Sequence, residues 1–188
     1  MSELQFLSID IDYWHDPQIA SKNIDKVLRF VNRRKIPAHV VMNHQQMLRF
    51  VDESKARTVI NLDQHSDIHS KDTDYLDCGS WLSYVKWRKH GKYIWARNYQ
   101  KTEYGNCNWR HFNWDGDLDW AEAKSDFFNP KTFDIKELLT QNVSDVCICL
   151  SPGYTPKDVY TELYSKLMAL PYLKGRLNEN FGRPCVPS

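Results

Sequence analysis

A three-layer α/β/α fold with a mostly parallel sheet is what this sequence predicts, and two observations carry that reading. Short apolar runs alternate along the chain with amphipathic stretches of helical period. Three of the apolar runs also end in Asp, Asn or His, the residues expected at the carboxyl edge of a parallel sheet. The 188 residues suit one domain of this kind, and no internal repeat, low-complexity tract or linker divides them. A single domain spanning 1–188 is the expectation.

In chain order, Leu4 to Ile11 (LQFLSIDI) reads as a buried strand. Asp16 and Pro17 then open a helix, Asp as its cap and Pro at the first helical position, where a backbone donor is not needed. Ile24, Val27, Leu28 and Val31 give that helix an apolar face, and Arg33, Arg34 and Lys35 suit its negative end. Pro37 resets the chain into a second strand, Ala38 to Met42, and a short helix follows with Met47, Leu48 and Val51 on one side. Thr58 to Leu62 is a third strand, short and β-branched. Gly79 to Lys89 has helical character and Tyr93 to Ala96 reads as a fourth strand. Val143 to Leu150 is the last strand, and Pro156 to Leu170 the last long helix, with Val159, Leu163, Leu167 and Leu170 in phase. Residues 99–130 fit neither period. Rich in Asn, Asp, Gly and aromatics, they predict an irregular excursion on the rim of the sheet, with a hairpin as the alternative.

Composition narrows the function classes. Hydrophobic residues at 41% and charged residues at 26% suit a folded globule. The 25 basic and 24 acidic residues leave a net charge of +1, which excludes the strong basic footprint of a non-specific nucleic-acid binder. No apolar run reaches the roughly 18 residues of a membrane span, so no membrane partner is expected. The opening Met-Ser-Glu-Leu-Gln-Phe lacks the order of a secretory signal, and five Cys is an odd count without tight pairing. Reduced thiols in a cytoplasmic protein are therefore expected. Cys147 and Cys149, alternate residues of a strand, read as buried packing.

The strand ends hold the chemistry. The first run ends in Asp10-Ile-Asp12, the second in Asn43-His44, and the third in Asp63-Gln-His65-Ser-Asp67, with His69 beyond. Any one of these residues alone would be a turn or cap residue. Together they bring several carboxylates and imidazoles to one edge, and alternate residues of an extended segment point the same way. Crowding the carboxylates without counter-charge costs on the order of several kcal/mol, and no Lys or Arg lies within the motifs. Two divalent cations would balance the four carboxylates Asp10, Asp12, Asp63 and Asp67, with His44 and His65 completing the ligand set. Oxygen-dominated ligation with about one imidazole per ion favours Mn²⁺, with Zn²⁺ and Fe²⁺ as alternatives.

Ser8-Ile-Asp10-Ile-Asp12-Tyr-Trp-His-Asp16-Pro17 resembles the S-x-D-x-D-x-x-D-P motif of the arginase/deacetylase (ureohydrolase) superfamily, with one extra residue before Asp16. Asn61-Leu-Asp63-Gln-His65-Ser-Asp67 resembles its D-A-H-x-D motif, and Asn43-His44 the Asp-His pair of its G-G-D-H motif. In arginases the D-x-D motif comes last and here it comes first. That rearranged order, with the segments Asp77 to Trp81 and Ser151 to Thr155, is similar to a small branch that includes the peptide arginases of ribosomally made peptides. The resemblance covers about residues 5–85. It implies an arginase-like fold with one metal on His44, Asp63, Asp67 and Asp10, and a second on His65, Asp12 and the shared Asp63 and Asp10.

What it implies for activity is hydrolysis of peptidyl arginine to ornithine with release of urea, metal-bound hydroxide attacking the guanidinium carbon. The substrate would be an arginine-containing precursor peptide. Another amidohydrolase or deacetylase reaction, or non-catalytic metal binding, is the alternative. The arginase proton-shuttle histidine has no counterpart, because Cys78-Gly79 stands in its place; His69 and His15 are the substitutes. A carboxylate must recognise the guanidinium, and Asp72, Asp74, Asp77, Asp115, Asp117 and Asp119 qualify. No counterpart is found of the residues that hold the α-ammonium and α-carboxylate of free arginine. The aromatic and acidic stretch Tyr104 to Glu122 is instead expected to lie beside a peptide.

Overall fold

The computed structural model describes residues 3–68, 76–86, 91–98, 122–128 and 134–168. Its strands are β1 (Gln5–Asp10), β2 (Ala38–Val41), β3 (Thr58–Asp63), β4 (Lys92–Asn98), β5 (Glu122–Phe128) and β6 (Val143–Cys149). They form one six-stranded sheet in the order β2-β6-β1-β3-β4-β5, and every described pairing is parallel. The helices are α1 (Pro17–Arg34), α2 (Met47–Glu53) and α3 (Lys157–Met168).

Both faces of the sheet are covered, which is why its strands are apolar without alternation. On one face Leu7, Ile9, Ile60, Leu62, Val146 and Ile148 pack with Ile24, Val27 and Val31 of α1 and Val159, Leu163 and Leu167 of α3. On the other, Phe6, Val41, Val59, Tyr93 and Trp95 pack with Met47, Phe50 and Val51 of α2 and with Trp81. Successive residues of β1 thus serve two different cores. The result is the three-layer α/β/α arrangement that the sequence predicts.

α1 begins where expected. The Asp16 carboxylate accepts from Gln18 N at 2.8 Å and Ile19 N at 3.1 Å, and Pro17 takes the first helical position. Its end is a left-handed residue, Lys35 at φ 55°, after which Ile36 N donates back to Val31 O at 3.1 Å.

Two elements differ from expectation. The segment from Gly79 is not a helix: one 3₁₀ turn, Trp81–Tyr84, is followed by extended Val85. Helix propagation needs each N–H for the carbonyl four residues back. Here Leu82 N donates to Asp67 O at 3.2 Å and Lys86 N to the Asp52 carboxylate at 3.2 Å. Residues 87–89 lie outside the described residues. The expected irregular excursion also ends in a strand, because β5 pairs with β4 from Lys92↔Glu122 to Asn98↔Phe128. Its sequence, EAKSDFF, carries little β-branched signal, and an edge strand needs less of it than a central one. Residues 99–121 and 129–130 lie outside the described residues.

Cys147 and Cys149 are free and buried as expected. Cys78 is disulfide-bonded, a departure from the expectation of reduced thiols throughout. Among the described residues, no helix is long and apolar enough to cross a membrane.

The topology also fixes where a ligand belongs. From β1 the chain moves to one side, to β2, then returns past β1 to β3 and continues outward through β4 and β5. The order reverses between β1 and β3, and the crevice beyond their carboxyl ends is the expected binding site of an open α/β sheet.

Asp16→Ala should lower unfolding stability by about 1 kcal/mol through loss of the α1 cap, measured by urea titration. An unchanged midpoint would show that the cap contributes nothing.

Candidate metal centre

β1 ends at Asp10 and β3 at Asp63, neighbours across the crevice. Each aspartate also turns its own chain: Asp10 Oδ1 accepts from Asp12 N at 3.2 Å, and Asp63 Oδ1 from His65 N at 2.8 Å. The backbone after Asp10 is therefore a 3₁₀ turn, Ile11–Tyr13, and not the extended continuation expected from the D-x-D spacing. The turn still folds Asp12 back toward the end of β3.

Two groups of side chains converge there. His44, from the 3₁₀ turn after β2, places Nδ1 at 3.2 Å from Asp10 Oδ2, 3.0 Å from Asp63 Oδ2 and 2.6 Å from Asp67 Oδ2. His65 Nδ1 lies 3.5 Å from Asp12 Oδ2 and 3.5 Å from Asp63 Oδ1. Asp63 stands between the groups and gives one oxygen to each. Asp10, His44 and Asp63 offer ligand atoms all within 4.8 Å of one another, as do Asp12, Asp63 and His65. Asp63 is the residue common to both; Asp10 falls with His44. All but His65 are buried, and the His65 side chain is 43% exposed. The group is thus closed by protein on one side and open beside His65.

Supporting hydrogen bonds orient the ligands. His44 Nε2–H donating to Ser8 Oγ at 3.0 Å, with Ser8 donating to Asn61 Oδ1 at 2.7 Å, satisfies all three groups and leaves Nδ1 toward the carboxylates. Trp81 Nε1 donates to Asp67 Oδ2 at 2.6 Å, Trp95 Nε1 to the Asp63 carbonyl at 3.1 Å, and Ser151 Oγ, from the turn after β6, to Asp10 Oδ2. Asp67 and Ser151 both have positive φ, 55° and 38°, backbone strain held next to the cluster.

The electrostatics follow from this crowding. Burial and the charges of Asp12 and Asp63 raise Asp10 well above its ordinary value. Burial and Asp63 raise Asp12, and push Asp67 up to about 7. Burial would also raise Asp63, but hydrogen bonds from His44 and His65 overcome it and hold Asp63 far below the usual carboxylate range. Burial would depress His44, yet the charges of Asp67 and Asp10 raise it well above its ordinary value. Hydrogen bonds to Asp12 and Asp63 push His65 up to about 12. Protonated imidazoles supply here the positive charge that a cation would supply. Asp12 Oδ1 is buried with no hydrogen-bond partner, an acceptor that a cation would satisfy. Donors that are carboxylate oxygen and imidazole nitrogen suit a hard or borderline divalent ion.

Of the other predicted site residues, His15 is exposed and its Nε2 lies 2.9 Å from Gln64 Nε2, whose amide also donates to the Asp12 carbonyl. It sits beside the group without touching its carboxylates in any hydrogen bond among the described residues. Asp77 Oδ1 is buried and unpartnered, and the Asp77 charge acts on Tyr154. Tyr154 presents its ring edge to His65, centroids 6.0 Å apart, and lies 3.9 Å from Cys78 Sγ through its hydroxyl. His69, Asp72, Asp74, Asp115, Asp117 and Asp119 lie outside the described residues, as does the stretch from Tyr104 to residue 121. Sequence reasoning assigns no role to the side chains of Ser8, Asn61 or Trp81; it reads the segment Ser151 to Pro156 as a turn into a helix and, as an alternative, as a wall of a substrate pocket. For the first two a signal existed: Ser8 and Asn61 each stand two residues before an aspartate, on the same sheet face as that aspartate.

No protein-family model matches the chain, and neither does any curated protein or solved structure. The fold and the site define an α/β protein with a buried Asp/His group of metal-binding dimensions.

The folded cluster binds more protons than the unfolded chain, so the metal-free protein should lose stability as pH rises. The share of Asp67 is present below its ordinary 3.8 and lost as pH climbs through about 7. That of His65 is present below 6.5 and lost on the way to about 12. Asp63 alone acts in the opposite direction, losing its contribution in acid. Thermal melts of chelated protein should fall between about pH 6 and about pH 9. Divalent-metal affinity should rise over the same interval, with proton release visible by calorimetry. A pH-independent affinity would mean the imidazoles are not the ligands. Ser8→Ala, which frees His44 Nε2, should weaken metal binding by about 10–100-fold in a competition assay with a chelating dye.

Proposed function

We propose that the chain is a binuclear manganese hydrolase that converts peptidyl arginine to ornithine and releases urea. The observation that carries this reading is the division of the Asp63 carboxylate, Oδ2 toward His44 and Oδ1 toward His65, which makes one residue common to both candidate ligand groups. The resemblance of the three motifs to those of the ureohydrolases supports the choice of reaction. His44, Asp10, Asp63 and Asp67 would hold one ion, and His65, Asp12 and Asp63 the other. Divalent cations held there would supply a water acidified to act at neutral pH and Lewis-acid polarisation of the substrate.

The chain's own residues select and orient the substrate. Tyr154, 42% exposed, offers a flat wall beside His65 on which a guanidinium plane can stack. Asp77, with an oxygen that has no partner, supplies the carboxylate that a fork of N–H donors needs. The exposed His65 side admits a side chain still attached to a peptide. His15, at the solvent boundary and linked through Gln64 to Asp12, and His69 are the imidazoles assigned to carry protons between solvent and the leaving amine.

Mass spectrometry of arginine-containing peptides incubated with Mn²⁺-loaded protein should show loss of a cyanamide-equivalent mass, with urea in solution. Asp63→Ala should abolish turnover, and chelation should do so until Mn²⁺ is returned, in the wild type only. Undiminished turnover by chelated protein, or hydrolysis of free arginine with peptides untouched, would refute the proposal. Metal binding without turnover of any arginine substrate would favour non-catalytic metal binding.

A further inference from the structure

The opposite pole of the domain carries a second feature. A cavity of about 700 Å³ is lined by Lys26, Arg29, Phe30, Arg33 and Arg34 of α1 and by Lys136, Leu139 and Gln141 from the segment before β6. Five of the eight lining residues are cationic and none is acidic. In a chain of net charge +1, this is a local concentration of positive charge. Arg29 and Arg33 are exposed and make no side-chain hydrogen bond or ion pair among the described residues. Lys26 is paired with Asp134 at 2.8 Å, and Arg34 Nη2 donates to the Gln141 carbonyl at 3.3 Å, which holds the two walls together.

The position of Arg33 and Arg34 has a helix-end explanation, since cations suit the carboxyl terminus of α1. That account does not reach Arg29, more than a turn from the end, or Lys136, which lies on the other wall. Phe30, buried at 8% exposure, and half-buried Leu139 give the cavity an apolar floor.

We propose that this groove docks an extended acidic peptide segment with carboxylates at alternate positions. Four residues of an α-helix advance about 6 Å, so Arg29 and Arg33 stand about that far apart along one face. Alternate residues of an extended chain are about 6.7 Å apart and face the same side. Two carboxylates of a Glu-x-Glu segment therefore match the two guanidiniums that have no side-chain partner among the described residues, while Lys136 lines the other wall of the same groove. Intervening apolar stems would rest on Phe30 and Leu139. A single phosphate is a poorer fit, because the cations are strung along the helix and do not converge on one point. A nucleic acid is poorer still, because the acidic residues that cancel the charge elsewhere would repel a long polyanion.

The groove lies far from the Asp/His group. α1 starts at Pro17, beside the turn that carries Asp12, and runs 18 residues, about 27 Å, before reaching Arg34. Docking there is independent of the metal-dependent reading, and its test can be run with the metal removed.

Fluorescence anisotropy of a labelled peptide of alternating glutamate and serine tests the proposal on the full chain. The wild type should bind it, chelated and Mn²⁺-loaded alike, and should bind the Gln-for-Glu version far more weakly. Arg29→Gln with Arg33→Gln should weaken binding by about tenfold; Arg29→Gln alone, a milder change, should give a smaller loss. The control Lys55→Gln with Lys157→Gln removes the same charge from exposed sites outside the groove and should bind as the wild type does. Equal losses in the two double variants, no loss in the arginine pair, displacement of the peptide by inorganic phosphate, or tighter binding of a single-stranded oligonucleotide would each overturn it.

Discussion

Four buried carboxylates within reach of two imidazoles are the constraint on which the rest of this structure depends. At full ionisation, Asp10, Asp12, Asp63 and Asp67 bring more negative charge to the crevice than His44 and His65 can balance, and burial removes the water that would screen it. The chain answers partly by shifting proton affinities: the two histidines and Asp10, Asp12 and Asp67 are pushed upward, while Asp63 is held far below the usual carboxylate range. Such upward shifts mark a site where negative charge is crowded beyond what the two imidazoles offset. Divalent cations would relieve the same repulsion without leaving the carboxyls neutral.

The scaffold around the crevice is arranged to hold that charge in place. Ser8 and Asn61 are partners across β1 and β3, and Asn61 is opposite Trp95 across β3 and β4. A buried polar row thus crosses the middle of an apolar sheet, directly behind the aspartates. Its hydrogen bonds fix the orientation of the His44 ring, Nε2 toward Ser8 and Nδ1 toward the carboxylates, which a fully apolar row could not do. Trp81 reaches the same site from the layer outside the sheet through its indole bond to Asp67, and the Asp67 carbonyl takes the N–H of the next residue, Leu82, away from helix formation. Loss of a helix there and the seating of Asp67 are two effects of one cause. The left-handed backbone at Asp67 and Ser151 belongs to the same pattern, strain placed where side chains must point into the crevice.

Much of this was legible in the sequence. The strands β1, β2, β3, β4 and β6 and the helices α1 and α3 lie within a few residues of where their apolar patterns place them, because burial on both faces leaves an uninterrupted run and Asp16-Pro17 leaves a cap. The convergence of Asp10, His44, Asp63, His65 and Asp67 was legible from strand-end placement alone. What was not legible has physical reasons. β5 is an edge strand whose composition resembles a loop, and periodicity does not see hydrogen bonds to a neighbour. The turn at Trp81 is decided by Asp67 and Asp52, partners distant in sequence. The D-x-D pair converges through a 3₁₀ turn closed by Asp10 itself, so the right residues were found through the wrong backbone.

The direction of α1 separates the two charged poles of the molecule. A parallel sheet sends each strand toward one edge and each returning helix toward the other, so whatever sits at the end of α1 is remote from whatever sits at the end of β1. Negative charge gathers at the carboxyl edge, where side chains from three strand ends can converge. Positive charge gathers along the final two turns of α1 and on Lys136, which precedes β6 at the opposite edge. Among the described residues, a near-neutral total thus conceals one pole rich in carboxylates and another rich in cations. The separation is about the length of α1, roughly 27 Å and well beyond the Debye length of about 10 Å at 0.1 M salt, so each pole acts on a ligand on its own.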